Sequence, residues 1–287
     1  MDLNGPEMGM MHDREPTIRS RELGNRLRTA MYAADLTGKL VAEQLGWAQS
    51  TISRLLAGKH FGKDNDIAAF LAVCGVTGHE RHQLLQLARD AHRPGTRMPK
   101  RLGTYTQHTT EALHVTEFQS AVIPEILQTA DYARTQLLAS GRPSPTAVGR
   151  AVALRLDRAT LLNDDEGPPH FEFYLHEWLL RTPVGNRETM SDQLHHLLRM
   201  SVRPRVTLRI VPIAAGAIAA QSGPFGLLEF EHYGPAVHRP EEDADAYLEE
   251  PEEILTYRDI LTRLGTVALN VHRSRAAITE VITTLWA

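Results

Sequence analysis

Apolar residues recur at helical spacing through the first ninety positions and give way to a mixed pattern beyond them. Between Ile18 and Ala33, Leu23, Leu27 and Ala30 fall on one side of a helical wheel, and Arg19, Arg21, Arg26 and Arg28 fall largely on the other. Over residues 36–58, Val41 and Leu45 share a face with Ala42, and Gly46 stands at a helix-stopping position. A second short helix begins after Trp47, with Ile52, Leu55 and Leu56 pointing one way and Gln49, Ser50, Ser53 and Arg54 the other. Residues 64–74 and 78–91 predict two more helices, the last packing Leu84, Leu85 and Leu87.

Residues 1–16 read as a mobile tail, residues 17–91 as an all-α five-helix domain, and residues 92–104 as a basic linker. In that linker Pro94, Gly95, Pro99 and Gly103 interrupt regular structure while Arg93, Arg97, Lys100 and Arg101 add charge. Residues 105–287 form the second domain. Helical patterns are expected near 109–139, 146–163, 188–201, 251–269 and 273–286, and β-rich runs at 171–180, 206–213 and 225–233. Intermixed helices and strands predict an α+β domain with a small sheet covered by helices. Residues 241–253 hold eight acids in thirteen positions and read as a solvated loop.

The paired helices at 36–58 carry the chemistry. Ala42 lets the helices approach, Gly46 supplies the left-handed exit, and Ile52 and Leu55 clamp the second helix from below. Such a pair is a helix-turn-helix, whose second helix lays its polar face in a DNA major groove. Gln49 can pair with adenine, Arg54 with guanine or with phosphate, and Ser50 and Ser53 with either kind of base edge. Thr37, Lys39, Thr51, Lys59, Arg26 and Arg28 are the candidate phosphate contacts.

Residues 20–90, through the run AEQLGWAQSTISRLLAGK, resemble the repressor-type helix-turn-helix regulators of the Cro/C1, or xenobiotic-response-element, class. IPEILQTADYARTQLL at 123–138, LRTPVG at 180–185 and GPFGLLEF at 223–230 resemble the C-terminal domain of an actinomycete subset of that class, described as antitoxin-like or developmental regulators. The resemblance implies a homodimer on an inverted-repeat operator, with a C-terminal domain that receives a small-molecule signal. It equally accommodates an antitoxin-like component that binds a small partner protein and regulates its own operon. Two positions depart from the family pattern. Ala48 stands where a capping Ser is usual, which costs about 1 kcal/mol. Gly38 stands where Gln often braces the phosphate contacts.

A net charge of −4 is unexpected for a DNA binder until it is divided along the chain. Residues 17–101 carry fourteen Lys and Arg against seven Asp and Glu, or +7; residues 1–16 carry −3, which leaves −8 for residues 102–287. The first domain therefore has the charge to meet phosphates. The single cysteine, Cys74, lies in an apolar run and reads as a buried thiol. No run is long and apolar enough to span a bilayer, and the N-terminus lacks the pattern of a signal peptide, so the expectation is a cytoplasmic, nucleoid-associated protein without a membrane partner.

Enzyme signatures, cofactor motifs and metal-ligand spacings are absent: His79-Glu80-Arg81-His82 is one residue short of the His-Glu-x-x-His pattern, and the adjacent His195 and His196 face different sides of their helix. In the second domain Phe118, Tyr132, His176, Trp178, Arg181 and Phe225 are candidates for a ligand pocket, with aromatic core and structural ion pairing as the competing reading.

Overall fold

The hydroxyl of Thr17 accepts from the Ser20 amide at 3.1 Å and donates to the Ala91 carbonyl at 2.8 Å, so one side chain caps the first helix and ties it to the end of the fifth. This is seen in a computed structural model that describes residues 15–60, 62–91, 93–99, 104–139, 141, 144–163, 166–217 and 223–286. The chain divides after Gly95 into two compact units. The expected tail lies, but for Glu15 and Pro16, outside the described residues.

The first unit is helical: α1 (Ile18–Ala33), α2 (Gly38–Leu45), α3 (Gln49–Leu56), α4 (Asp64–Val73) and α5 (Gly78–Arg89). Leu23, Leu27, Val41, Ile52, Leu55, Ile67, Phe70, Leu71 and Leu84 form its core, with Leu85 and Leu87 packed against it. Cys74 is buried there, and burial pushes its thiol above the ordinary value. One expectation fails. Arg21 is buried, together with Glu22, because α1 packs against both α3 and α5 and so buries more than one face.

The second unit is α+β, with a seven-stranded sheet in the order β1-β7-β6-β5-β2-β3-β4. Strands β2 (His114–Gln119), β3 (His170–His176) and β4 (Val206–Val211) run parallel, whereas β5 (Phe225–Glu229), β6 (Ala236–Pro240), β7 (Ala244–Leu248) and β1 (Thr96–Pro99) add antiparallel neighbours. Helices α6 (Thr104–Glu111), α7 (Ala130–Ala139), α8 (Pro145–Ala159), α9 (Trp178–Arg181) and α10 (Arg187–Met200) precede or connect the strands. Helices α11 (Pro251–Val267) and α12 (Val271–Val281) end the fold. Phe118, Tyr174, Phe225, Leu227 and Val237 point from one face of the sheet into a core closed by Ile254, Tyr257 and Leu264 of α11.

The sheet is larger than the sequence pattern predicts. The helix expected at 109–139 is interrupted by β2, whose buried positions include Glu117 as well as Val115 and Phe118. A carboxylate on an inward position breaks the period-2 alternation and leaves an i, i+3 pair that imitates a helix. The expected linker contains β1, whose Thr96 and Met98 are buried beside β7; Lys100, Arg101 and Gly103 lie outside the described residues. The acidic run at 241–253 is not a loop throughout. It holds β7, in which Asp245 accepts from the His238 imidazole at 2.9 Å, and the first turn of α11, where acids complement the helix dipole.

Candidate nucleic-acid interface

The turn between α2 and α3 follows from its residues. Thr37 caps α2 by accepting from the Leu40 amide at 3.3 Å, and Gly46 ends it in the left-handed region at φ 66°. Helix α3 then starts at Ala48, which has the extended backbone of a cap but no side chain to supply the hydrogen bond. Ile52 and Leu55 are each 1% exposed, while Gln49, Ser50 and Ser53 are exposed on the opposite arc. The expected amphipathic division of α3 is present.

Two glycines bring α3 against α1. A Cβ on Gly24 would lie 2.4 Å from the Leu56 carbonyl oxygen, and one on Gly58 would lie 2.9 Å from the backbone of Ser20 and Arg21. Contact this close between backbones admits no side chain, which explains a glycine in the middle of α1 where alanine would favour the helix by about 1 kcal/mol.

The remaining candidates separate into two groups. Lys59 and Lys39 are exposed; Lys39 stands 3.9 Å from Glu43, a pair so open to solvent that it leaves the ammonium available. Thr51 is half-buried beside α4, and Arg54 is half-buried with its charge acting on His60. Thr37 has its hydroxyl occupied as a cap, though exposed. Arg28 is engaged internally: one guanidinium nitrogen donates to Asn25 Oδ1 at 2.8 Å and another to the Leu56 carbonyl at 2.9 Å. Arg26 donates to Gln83 Oε1 at 3.4 Å. Both arginines are half-buried, so α1 does not present them as a free cationic face.

His60 is a residue that sequence reasoning passed over. It lines a hollow of about 210 Å³ with Trp47, Ala48, Thr51 and Asp66, beside the first turn of α3. Burial, then the Arg54 charge, holds its imidazole below the ordinary value, and Asp66 opposes them.

In the second unit the aromatic candidates do not converge. Phe118 and Phe225 fill the core beneath α11, ring centroids 6.1 Å apart, and Tyr132 is buried with its hydroxyl accepting from the Ile123 amide at 3.4 Å. Trp178 is exposed. Glu177 binds the Arg181 guanidinium at 2.8 and 3.0 Å through Oε1 and accepts from the Ile213 amide at 3.0 Å through Oε2. Burial raises the Glu177 carboxyl, but the Ile213 amide, Arg181 and His176 outweigh it and hold the group below its usual range. The His176 imidazole accepts from the Trp178 amide at 3.3 Å through Nδ1, and burial lowers it against the opposing charge of Glu177. This cluster braces the exit of β4.

A different hollow, of about 270 Å³, lies over β2, β3, β4 and β5 and is lined by His114, Thr116, His170, Glu172, Thr207 and Glu229. Its two imidazoles stack at 5.4 Å. Among the described residues no group of three His, Cys, Asp or Glu is arranged to hold a metal ion, and no helix is long and apolar enough to cross a membrane.

A family model described as a helix-turn-helix domain matches residues 22–84. A second, described as a domain of unknown function (DUF5753), matches residues 102–280. No curated protein and no solved structure matches the chain significantly.

Proposed function

Because the chain belongs to the DUF5753 family and carries a helix-turn-helix domain ahead of that domain, we propose that it is a sequence-specific transcriptional regulator of the Cro/C1 type. It reads DNA with Gln49, Ser50 and Ser53 of α3, and with Arg54 once its side chain is drawn toward the groove. Lys39, Lys59 and Thr51 hold the phosphate backbone. The observation that carries this reading is the division of α3: three hydrogen-bonding side chains in solvent above two leucine-sized anchors that are almost wholly buried. A helix whose polar arc faces outward on a basic domain has the shape and the charge for a major groove.

The chain binds as a homodimer to an inverted repeat with half-sites about one helical turn apart, and the C-terminal domain contributes dimerisation and receives a small molecule or a partner protein. Its role is binding without turnover. The acidic balance of that domain keeps it off the phosphates.

Selection of duplexes from a random library with the full chain tests the reading. The wild type enriches one motif, and Gln49→Ala combined with Ser53→Ala abolishes the preference while a thermal melt of the variant stays within a few degrees of wild type. Enrichment of the same motif by the double variant would refute the assignment of α3. Sedimentation with and without the selected duplex reads the dimer directly.

A further inference from the structure

The last four carbonyls of a helix lack partners within it and must find them elsewhere. In α3 the chain that follows satisfies three: Ala57 N–H donates to Ser53, Lys59 and His60 N–H to Arg54, and Gly58 N–H to Leu55. The fourth, on Leu56, receives the Arg28 guanidinium at 2.9 Å. The same oxygen is the atom that Gly24 admits, four residues earlier and therefore on the same side of α1. Asn25 Oδ1, at 2.8 Å from the other guanidinium nitrogen, holds that group in place. One carbonyl at the end of α3 is thus wedged between a missing side chain and a guanidinium held by Asn25, whose charge also complements the negative end of the helix dipole.

We infer that Arg28 is a positioning residue for the recognition helix, acting through Leu56, and that it is not a phosphate contact. The inference rests on the DNA-binding reading of α3. Helix α3 is eight residues long, or about 12 Å, so a tilt of about 10° at its anchored end carries Gln49 and Ser50 by about 2 Å. Base-edge hydrogen bonds tolerate about 0.5 Å. Phosphate attraction to exposed lysines tolerates far more, because it is long-ranged and spread over many charges. Loosening Arg28 therefore harms discrimination and spares non-specific affinity.

Salt dependence separates the two roles. A lost phosphate contact lowers the slope of log affinity against log salt by about one, whereas a lost positioning contact leaves that slope alone. The experiment uses the full chain, a duplex selected by the wild type and a random-sequence duplex. For Arg28→Gln the expected result is a fall of about tenfold or more in the ratio of selected to random affinity, with the salt slope unchanged. Amide hydrogen exchange without DNA should quicken in α3 and not in α5. Arg28→Lys, which keeps the charge and one donor, should restore part of the ratio, and it is the variant measured if Arg28→Gln melts the first unit.

A slope reduced by about one with the ratio intact makes Arg28 a phosphate contact and overturns the inference. A ratio and α3 exchange equal to wild type overturn it as well. A wild-type chain that selects no duplex overturns the DNA-binding reading, and this inference with it.

Discussion

The Tyr105 hydroxyl donates to a Glu117 carboxylate oxygen at 2.7 Å, directly above Gly226, where a Cβ would come within 2.8 Å of that hydroxyl. Glu117 is buried in the middle of the sheet, and Gly226 is its register partner on β5. The Tyr105 ring stacks on His238 at 4.0 Å and lies under the Arg158 guanidinium, 4.6 Å from the centroid. Burial, and after it the Glu117 charge, raise the phenol well above its ordinary value, so Tyr105 is a neutral donor throughout the accessible pH range.

Removing that donor leaves the buried carboxylate, among the described residues, with a 3.5 Å contact from Gln119. Tyr105→Phe is therefore expected to destabilise the second unit by about 1–3 kcal/mol, the cost of a desolvated acceptor, with little change in packing. Urea unfolding followed by far-ultraviolet dichroism measures it. A midpoint equal to wild type would show that Glu117 finds another partner.

Glycines in helices offer a paired test. Gly24→Ala drives a Cβ to 2.4 Å from backbone that cannot yield, and overpacking of this kind costs about 1–3 kcal/mol, more than the gain of about 1 kcal/mol in helix propensity. Gly149, within α8, has nothing outside its own helix turn within 4 Å of the same atom among the described residues, so Gly149→Ala should stabilise the second unit by about 0.5–1 kcal/mol. Opposite signs in thermal melts of the two variants are expected. A stabilised Gly24→Ala would mean that α3 does not sit where the structure has it.

Acid should loosen the first unit through His60. Its imidazole is held below the ordinary value of about 6.5, by burial and then by Arg54, so the unfolded chain binds the proton more readily than the folded one. Stability is then full above the unfolded pKa and falls as pH drops through it toward the folded value. His196 and His176 add the same sign in the second unit, both lowered by burial. Melting between about pH 7.5 and 5 should show the loss, and His60→Gln should lessen it in the first unit. An equal loss in the variant would assign the effect to other groups.

Much of the first unit was legible because its helices carry clear apolar stripes, even where α1 buries more than one face, and end at residues with one conformational purpose. The α1 pattern places its boundaries at Ile18 and Ala33, and Gly46 stops α2 where the left-handed exit is found. What misled was charge. Arg21, Glu22, Glu117 and Asp245 are all buried, and a polar residue on an inward face looks, in one dimension, like a solvated one. Strands β2 and β7 disappeared for that reason. Arg28 was legible as a cation on α1 but not as the partner of a carbonyl twenty-eight residues away, since a backbone acceptor leaves no mark in the sequence.

Ala48 joins stability to the proposed DNA contact. Its φ of −67° and ψ of 139° are those of a capping residue, yet its methyl side chain offers no oxygen to the first amides of α3. Ala48→Ser and Ala48→Asp should each supply one and stabilise the first unit by about 0.5–2 kcal/mol. Their effects on DNA should diverge. A serine is neutral, so affinity for the selected duplex is expected to stay within about threefold of wild type, whereas the aspartate sets a negative charge at the end of α3 that approaches the phosphates and should weaken binding most at low salt. Anisotropy titrations at two salt concentrations read the difference. Aspartate and serine variants that bind alike, both as stable as expected, would place the first turn of α3 away from the nucleic acid.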